Sequence, residues 1–167
     1  MDNAQSMTQR FVSTIIDRVK KDAACRAAFR HAETPPQESR AWEYILHFCK
    51  LEYSTERRIF CLIGSAIARA IPDHDGHLSV GSALRGICSG GSEAELSTEL
   101  GRLRRLLACD DAVELLEVIR HVLRYLQAQG SLISYERLLH DMLYWNEYTR
   151  INWTKDFFKV SEADKKD

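Results

Sequence analysis

Apolar residues recur at three- and four-residue spacing along most of the chain, the periodicity of amphipathic helices. Phe11, Ile15 and Val19 are the first clear example. No segment of four or more residues alternates between apolar and polar positions as a half-buried strand does. The pattern therefore predicts an all-α fold of about eight to nine helices. They cover residues 4–21, 22–32, 41–51, 55–71, 80–88, 92–108 and 111–129, with two more beginning at residues 134 and 150.

Prolines mark the expected breaks, because proline removes a backbone donor and restricts the residue before it. They occur only at Pro35, Pro36 and Pro72, and the last opens a polar connector that runs to residue 77. We therefore expect two small helical lobes joined by this connector. Residues 1–72 form the N-terminal lobe, residues 79–160 a C-terminal helical bundle, and residues 161–167 a charged, flexible tail.

Helix start signals are strongest in the second half. Ser92 is followed three residues later by Glu95, which is the capping-box pattern. Asp111 signals the start of the next helix in the same way, and Gly130 a natural stop. For the helix after Ser92, spacing predicts an inward seam of leucines at positions 96, 100, 103 and 107.

Composition and charge argue against some classes of function but do not identify one. The chain has 167 residues, is 45% apolar and 28% charged, and carries a net charge of −1. A free-standing nucleic-acid binder is usually basic, so this balance argues against autonomous tight binding but allows a local basic face. The longest apolar stretch, residues 59–71, is interrupted and too short for a membrane helix. With no export signal and five cysteines lacking any Cys-x-x-Cys pair, we expect reduced thiols, a cytoplasmic location and no membrane contact.

Two histidine-containing segments are candidates for metal chemistry. His74-Asp75-Gly76-His77 has metal-ligand types, although a solvated turn explains it more simply. His140-Asp141 resembles the adjacent pair of metal-dependent phosphohydrolases, but it lies in an amphipathic helix and fits an ordinary surface pair. Residues 86–91 lack the lysine and the strand-to-helix setting of a phosphate-binding glycine loop. The sequence therefore predicts no catalytic residue, no metal and no cofactor.

Arginines are the more informative polar residues. Arg102 and Arg105 lie three residues apart on one predicted helix, and Arg120 and Arg124 lie four apart on the next. Such spacings share a helix face, so antiparallel packing gives a guanidinium stripe suited to phosphate oxygens, which Arg85 could extend. The alternative is a set of ordinary surface ion pairs, because Glu99 precedes Arg102 by three residues and Glu117 precedes Arg120 by three.

The C-terminal fifth is rich in aromatic residues. They either close a small helical core or stack on bases, and their three- and four-residue spacing favours the core. The set comprises Tyr144, Trp145, Tyr148, Trp153, Phe157 and Phe158.

Several of these segments together resemble one family. They are RAAFR at residues 26–30, SVGSAL at 79–84, RLRRLL at 102–107 and LLHDMLYWN at 138–146, joined to WTKDFF at 153–158. In this order and spacing the chain resembles the CasB family, the small subunit of the type I-E CRISPR surveillance complex Cascade. The similarity spans about residues 11–160. The family tends to have Glu-x-Arg-Phe where this chain has Leu100-Gly101-Arg102-Leu103.

The resemblance implies a non-catalytic, all-helical subunit. Its implied partners are the backbone and large subunits of Cascade, the guide RNA, the target and non-target DNA strands, and a second copy of itself. Its implied role is to contact the nucleic-acid backbone and to stabilise the R-loop by holding the displaced non-target strand. The expected nucleic-acid-binding residues are Arg26, Arg30, Arg85, Arg102, Arg105, Arg120 and Arg124. The alternative function is that of a helical protein–protein adaptor without nucleic-acid contact.

Overall fold

The computed structural model describes residues 5–88 and 90–159. Within these residues the regular structure is helical, so the all-α prediction is confirmed. Nine α-helices are described, with a 3-10 helix at Pro35–Ala41. They are α1 (Met7–Lys21), α2 (Ala23–Ala32), α3 (Trp42–Ile45), α4 (Ser54–Ala70), α5 (Val80–Ile87), α6 (Glu93–Leu107), α7 (Ala112–Ala128), α8 (Tyr135–Leu143) and α9 (Glu147–Phe158).

The chain divides into two compact units, and the division differs from the predicted one at helix α8. The first unit combines Met1–Gly76 with Tyr135–Leu143, so it contains α1 to α4, the 3-10 helix and α8. Helix α8 packs on α1 and α4 and buries Leu138, Leu139 and Met142. Helix α8 belongs to the first unit because its apolar face is removed from water there, although α8 follows the connector by more than fifty residues in the sequence.

Helix α4 forms the centre of the first unit. Every residue from Ile59 to Ala68 is buried, as expected for a helix surrounded by protein on all sides. The ring of Phe11 packs edge-on against Phe60, with 4.8 Å between ring centroids. Gly64 lies directly under Phe29: a Cβ atom there would fall 2.2 Å from a ring carbon. Glycine therefore allows α2 to approach α4 closely.

Two aspartates cap helices in the first unit. The Asp22 carboxylate accepts hydrogen bonds from the backbone N–H groups of Ala24 and Cys25 and so caps α2. These bonds, that from Cys25 above all, lower the pKa of Asp22. The Asp75 carboxylate accepts from the backbone N–H groups of Tyr135 and Glu136, at 2.7 and 3.1 Å, and caps α8 from a distant point in the sequence.

The second unit contains α5, α6, α7 and α9. Its main contact is between α5 and α9, where Trp153 and Phe157 of α9 are fully buried. Gly81 of α5 lies against the α9 backbone, and a Cβ atom at this position would fall 2.1 Å from the carbonyl oxygen of Trp153. Helix α6 packs on α5 and on α7. An isolated parallel bridge between Leu78 and Ile133 joins the segments that precede α5 and α8.

Several local predictions need correction. The 41–51 segment forms only the four-residue α3, followed by turns. The buried face of α6 is Glu99, Leu103 and Leu106, whereas the other leucines of the predicted seam are only partly covered. The predicted seam is correct for Leu103 and wrong for the other three leucines, because Glu99 and Leu106 occupy the neighbouring inward positions. The predicted 161–167 tail lies outside the described residues. None of the helices described has both the length and the apolar character needed to cross a membrane.

Candidate nucleic-acid interface

Five of the seven predicted arginines lie in the second unit. Arg85 is in the last turn of α5, Arg102 and Arg105 are on α6, and Arg120 and Arg124 are on α7. Helices α6 and α7 are joined by only four residues and pack on each other, so they are neighbours in space. The two start signals work as predicted, because Ser92 and Asp111 accept hydrogen bonds from the backbone N–H groups of Glu95 and Glu114.

Arg102 belongs to a compact cluster with Glu99 and Tyr125. The guanidinium carbon of Arg102 lies 3.9 Å from the centroid of the Tyr125 ring, a close cation–π contact. The Tyr125 hydroxyl donates a 2.6 Å hydrogen bond to Glu99 Oε1. Burial raises the pKa of Tyr125, and its hydrogen bond to the Glu99 carboxylate raises it further. The cluster therefore joins α6 to α7 through a buried carboxylate.

The ion pair within this cluster is incomplete. Arg102 Nε lies 3.5 Å from Glu99 Oε2, a distance at which an N–H···O hydrogen bond is weak. Both atoms are buried without a hydrogen-bond partner among the described residues. The Arg102 side chain as a whole is nevertheless 32% exposed, so part of it contacts solvent. The predicted Glu99–Arg102 pair exists, but its carboxylate is buried rather than on the surface.

The other arginines of this unit differ in exposure. Arg105 and Arg124 are exposed, and Arg120 and Arg85 are partly covered. The Arg85 guanidinium lies over the Phe157 ring at 5.9 Å. Exposure at positions 105 and 124 leaves those side chains accessible to a large anionic ligand. A continuous arginine stripe on α6 and α7, extended by α5, stays a prediction.

Arg26 and Arg30 lie on α2 of the first unit and satisfy carbonyl groups at helix ends. Arg26 Nη1 donates to the carbonyl oxygen of Val19, near the end of α1, at 2.6 Å. Arg30 Nε donates to the carbonyl oxygen of Ala68, near the end of α4, at 3.2 Å. Cations at helix C-termini are favoured by the helix dipole. These bonds give both residues a structural role, and their contact with nucleic acid stays a prediction.

Sequence reasoning missed the side chains that close the turn between α6 and α7. Trp145 Nε1 donates to the carbonyl oxygen of Cys109 at 2.9 Å, and Arg150 Nη1 donates to that of Leu107 at 3.4 Å. Leu107 is the last residue of α6, whose final carbonyl groups lack intrahelical partners, and Cys109 lies in the connection between α6 and α7. Tyr125 was missed as well, since no local pattern connects it with Glu99, 26 positions earlier.

The aromatic prediction is correct for Trp153 and Phe157 and wrong for three other rings. Tyr148 is 71% exposed, Tyr144 60% and Phe158 48%. Helix α9 carries apolar residues on two sides, and only one of them faces the α5 contact. The exposed side presents Tyr148, Ile151 and Phe158.

The candidate metal segments have ordinary contacts. Asp75 caps α8, as described above, and His74 Nδ1 lies 2.9 Å from the backbone carbonyl oxygen of Asp75. His140 Nδ1 lies 3.8 Å from Asp141 Oδ1 on the surface of α8. Across residues 5–88 and 90–159, no group of three or more potential ligands is arranged to hold a metal ion. All five cysteines are buried, free thiols, and burial raises the pKa of Cys25 and of Cys49 to about 11.

Three solved structures share this fold. The chain is similar to CasB from Thermus thermophilus, with 22% identity, a TM-score of 0.71, and coverage of 92% of this chain and 98% of that one. A CRISPR-associated protein of the Cse2 family, also from Thermus thermophilus, gives 23% identity, a TM-score of 0.71 and the same coverage. A chain of a CRISPR RNA-guided surveillance complex gives 17% identity, a TM-score of 0.76, and coverage of 92% of each chain. At these identities the likeness shows the fold.

Sequence comparison identifies the family. No curated protein sequence matches the chain significantly. The family model for CRISPR-associated protein Cse2 matches residues 25–158, which include α3 to α9 and all seven predicted arginines. The chain therefore belongs to the Cse2 family of CRISPR-associated proteins, as its resemblance to CasB predicted.

Proposed function

We propose that this protein is the non-catalytic small subunit of a type I-E CRISPR surveillance complex, and that it stabilises the R-loop by holding the displaced non-target strand. The observation that carries the proposal is the match to the Cse2 family over residues 25–158. The similarity to a chain of a CRISPR RNA-guided surveillance complex supports assembly into such a complex. The partners proposed are the backbone and large subunits, the guide RNA, both DNA strands and a second copy of the chain.

The physical basis of this role is the near balance of R-loop formation. The guide–target heteroduplex is about as stable as the DNA duplex it replaces, so modest contacts to the displaced strand shift the equilibrium. Arginine contacts to phosphates suit this task because they require no base sequence and oppose re-annealing. The exposed side chains of Arg105 and Arg124 support this role in the second unit. Arg26, Arg30, Arg85, Arg102 and Arg120 complete the proposed set.

The test uses a reconstituted surveillance complex and the triple variant Arg105→Ala, Arg120→Ala, Arg124→Ala. We expect faster R-loop dissociation and a salt dependence of log K shallower by up to about 2, since each single-strand phosphate contact contributes about 0.7 to the slope. Arg102 is left intact because its contacts with Glu99 and Tyr125 link it to the fold.

The control removes equal charge from the first unit, where Arg10, Lys21 and Arg40 are exposed and lie outside the proposed set. The variant with all three changed to alanine is expected to match the wild type in both lifetime and slope. An R-loop lifetime and salt slope that are the same in the α6–α7 variant and in the wild type would reject the proposed contact.

A second candidate function, a helical protein–protein adaptor, is favoured by the exposed apolar side of α9. Tyr148 and Phe158 are solvent-exposed rings on a helix whose other side is fully packed. Tyr148→Ser with Phe158→Ser tests it: loss of assembly into the complex, together with no effect of the arginine variant, identifies an adaptor. An effect of the arginine variant on R-loop lifetime in a fully assembled complex identifies the strand-holding function.

A further inference from the structure

The cluster of Glu99, Arg102 and Tyr125 has an unusual division of hydrogen bonds. Glu99 is almost fully buried and bears two carboxylate oxygens. One of them, Oε1, accepts the short 2.6 Å bond from the Tyr125 hydroxyl. The other, Oε2, faces Arg102 Nε at 3.5 Å and has no hydrogen-bond partner among the described residues. The buried Glu99 carboxylate thus forms a short hydrogen bond with Tyr125 but only an incomplete ion pair with Arg102.

This division is contrary to ordinary preference. A carboxylate beside a guanidinium frequently forms two short, parallel hydrogen bonds, since the planar groups match in geometry. Here the Tyr125 hydroxyl occupies one oxygen, and the Tyr125 ring lies under the guanidinium at 3.9 Å. The Tyr125 hydroxyl therefore competes with Arg102 for the Glu99 carboxylate, while the Tyr125 ring packs against the Arg102 guanidinium.

We infer that Tyr125, anchored by its hydrogen bond to Glu99, is a positioning residue that holds the Arg102 guanidinium in a fixed orientation in which it can bind a polynucleotide phosphate. Tyr125 keeps Glu99 from closing a full salt bridge with Arg102. The inference rests on the proposed strand-holding function and specifies how one of its arginines is prepared for binding.

Preorganisation explains why such a cluster favours binding. A free arginine side chain loses rotamer freedom when it binds a phosphate, and this loss weakens the contact. A guanidinium already stacked on a ring has lost much of that freedom before the phosphate arrives. The 32% exposure of the Arg102 side chain leaves room for a phosphate on the solvent side.

Two conservative variants are expected to act in opposite directions. Tyr125→Phe keeps the ring but removes the hydroxyl, so Glu99 is free to pair with Arg102 and to draw it inward. Glu99→Gln keeps an acceptor for the tyrosine but removes the negative charge, so Arg102 is released. In the reconstituted complex we expect R-loop dissociation to be about tenfold faster with Tyr125→Phe, the effect of losing one charge-assisted contact, and slower with Glu99→Gln.

Double variants separate positioning from a general loss of stability. On an Arg102→Ala background, both Tyr125→Phe and Glu99→Gln should leave R-loop lifetime and salt slope unchanged. If either variant has the same effect with and without Arg102, or if both shift the lifetime in the same direction, the inference is overturned. Arg104→Ala, an exposed arginine on the same helix, is the control for loss of charge on α6.

A measurement on the free, full-length chain tests the positioning without nucleic acid. The Nε–Hε proton of Arg102, observed by nitrogen-15 NMR, should move downfield in Tyr125→Phe as its bond to Glu99 shortens, and upfield in Glu99→Gln. An unmoved resonance in Tyr125→Phe overturns the inference by itself. Failure of the proposed function gives a different result: the resonance moves as expected, but neither these variants nor the triple arginine variant changes R-loop lifetime.

Discussion

Gly81→Ala tests the contact between α5 and α9, which forms the main packing of the second unit. A Cβ atom at position 81 would lie 2.1 Å from the carbonyl oxygen of Trp153, about 0.9 Å inside the 3.0 Å limit of real Cβ contacts. It would also lie 3.1 Å from the backbone nitrogen of Phe157. Because these atoms belong to helix backbone, no side-chain rotation relieves the overlap, and one helix must shift.

The magnitude is set by two opposing effects. Overpacking in a close-packed region costs about 1–3 kcal/mol, and a shift of fully buried Trp153 favours the upper end. Alanine improves the intrinsic helix propensity of α5 by about 1 kcal/mol, which offsets part of this cost. We expect a net loss of about 1–2 kcal/mol in the free energy of unfolding. For a chain of this size that is a fall of about 2–8 °C in Tm.

Thermal and urea unfolding followed by circular dichroism at 222 nm provide the assay. Gly86→Ala in the same helix and Gly101→Ala in α6 are matched controls, because a Cβ atom at either position meets nothing within 4 Å. Both should be neutral or stabilising by up to about 1 kcal/mol. A Gly81→Ala protein as stable as the Gly86→Ala protein would refute the close approach of α5 and α9.

Three further predictions concern the first unit. Burial raises the pKa of Cys25 and Cys49 from 9.0 to about 11, so the unfolded chain loses these protons at lower pH than the folded protein does. The free energy of unfolding should therefore fall as pH rises from about 9 to 11, and Cys→Ala variants should reduce this fall in unfolding curves. A free energy of unfolding that does not change over this pH range would contradict the prediction. Asp75→Ala removes the cap of α8 and should cost about 1 kcal/mol, measured by urea unfolding, while Asp75→Asn should retain part of it. Glu38 is buried and accepts hydrogen bonds from Arg57 and from Trp42 Nε1. Glu38→Ala leaves Arg57 without its carboxylate and should destabilise the protein by about 3 kcal/mol, whereas the double variant Glu38→Ala, Arg57→Met removes both charges and should lose less. Equal losses in the two variants would contradict a buried ion pair.

Local patterns predicted most of the helices because their signals lie within a few residues of one another. Ser92 and Asp111 cap α6 and α7 as expected, and the apolar face of α1 at Phe11, Ile15 and Val19 is buried. The start of α9 was missed by three residues because Asn146, its cap, follows the polar turn after α8. Boundaries of this kind depend on which of several capping residues the turn selects.

Contacts between distant segments could not be predicted in the same way. The apolar face of α8 is visible in the sequence, but nothing local shows that α1 and α4 bury it. The same limit applies to the candidate interface. The spacing of Glu99 and Arg102 is evident, whereas the part of Tyr125 depends on how α6 packs against α7. The buried Glu99 on α6 was not predicted either, because the spacing argument placed only leucines on the inward face of that helix.

The placement of α8 in the first unit has a consequence for synthesis on the ribosome. When the first 76 residues have emerged, the surfaces of α1 and α4 that receive Leu138, Leu139 and Met142 still lack their cover. That cover arrives only after a further 58 residues, all belonging to the other unit, have been translated. The N-terminal portion thus waits for a late segment, and a gene truncated after the connector would yield a chain with an unfinished interior.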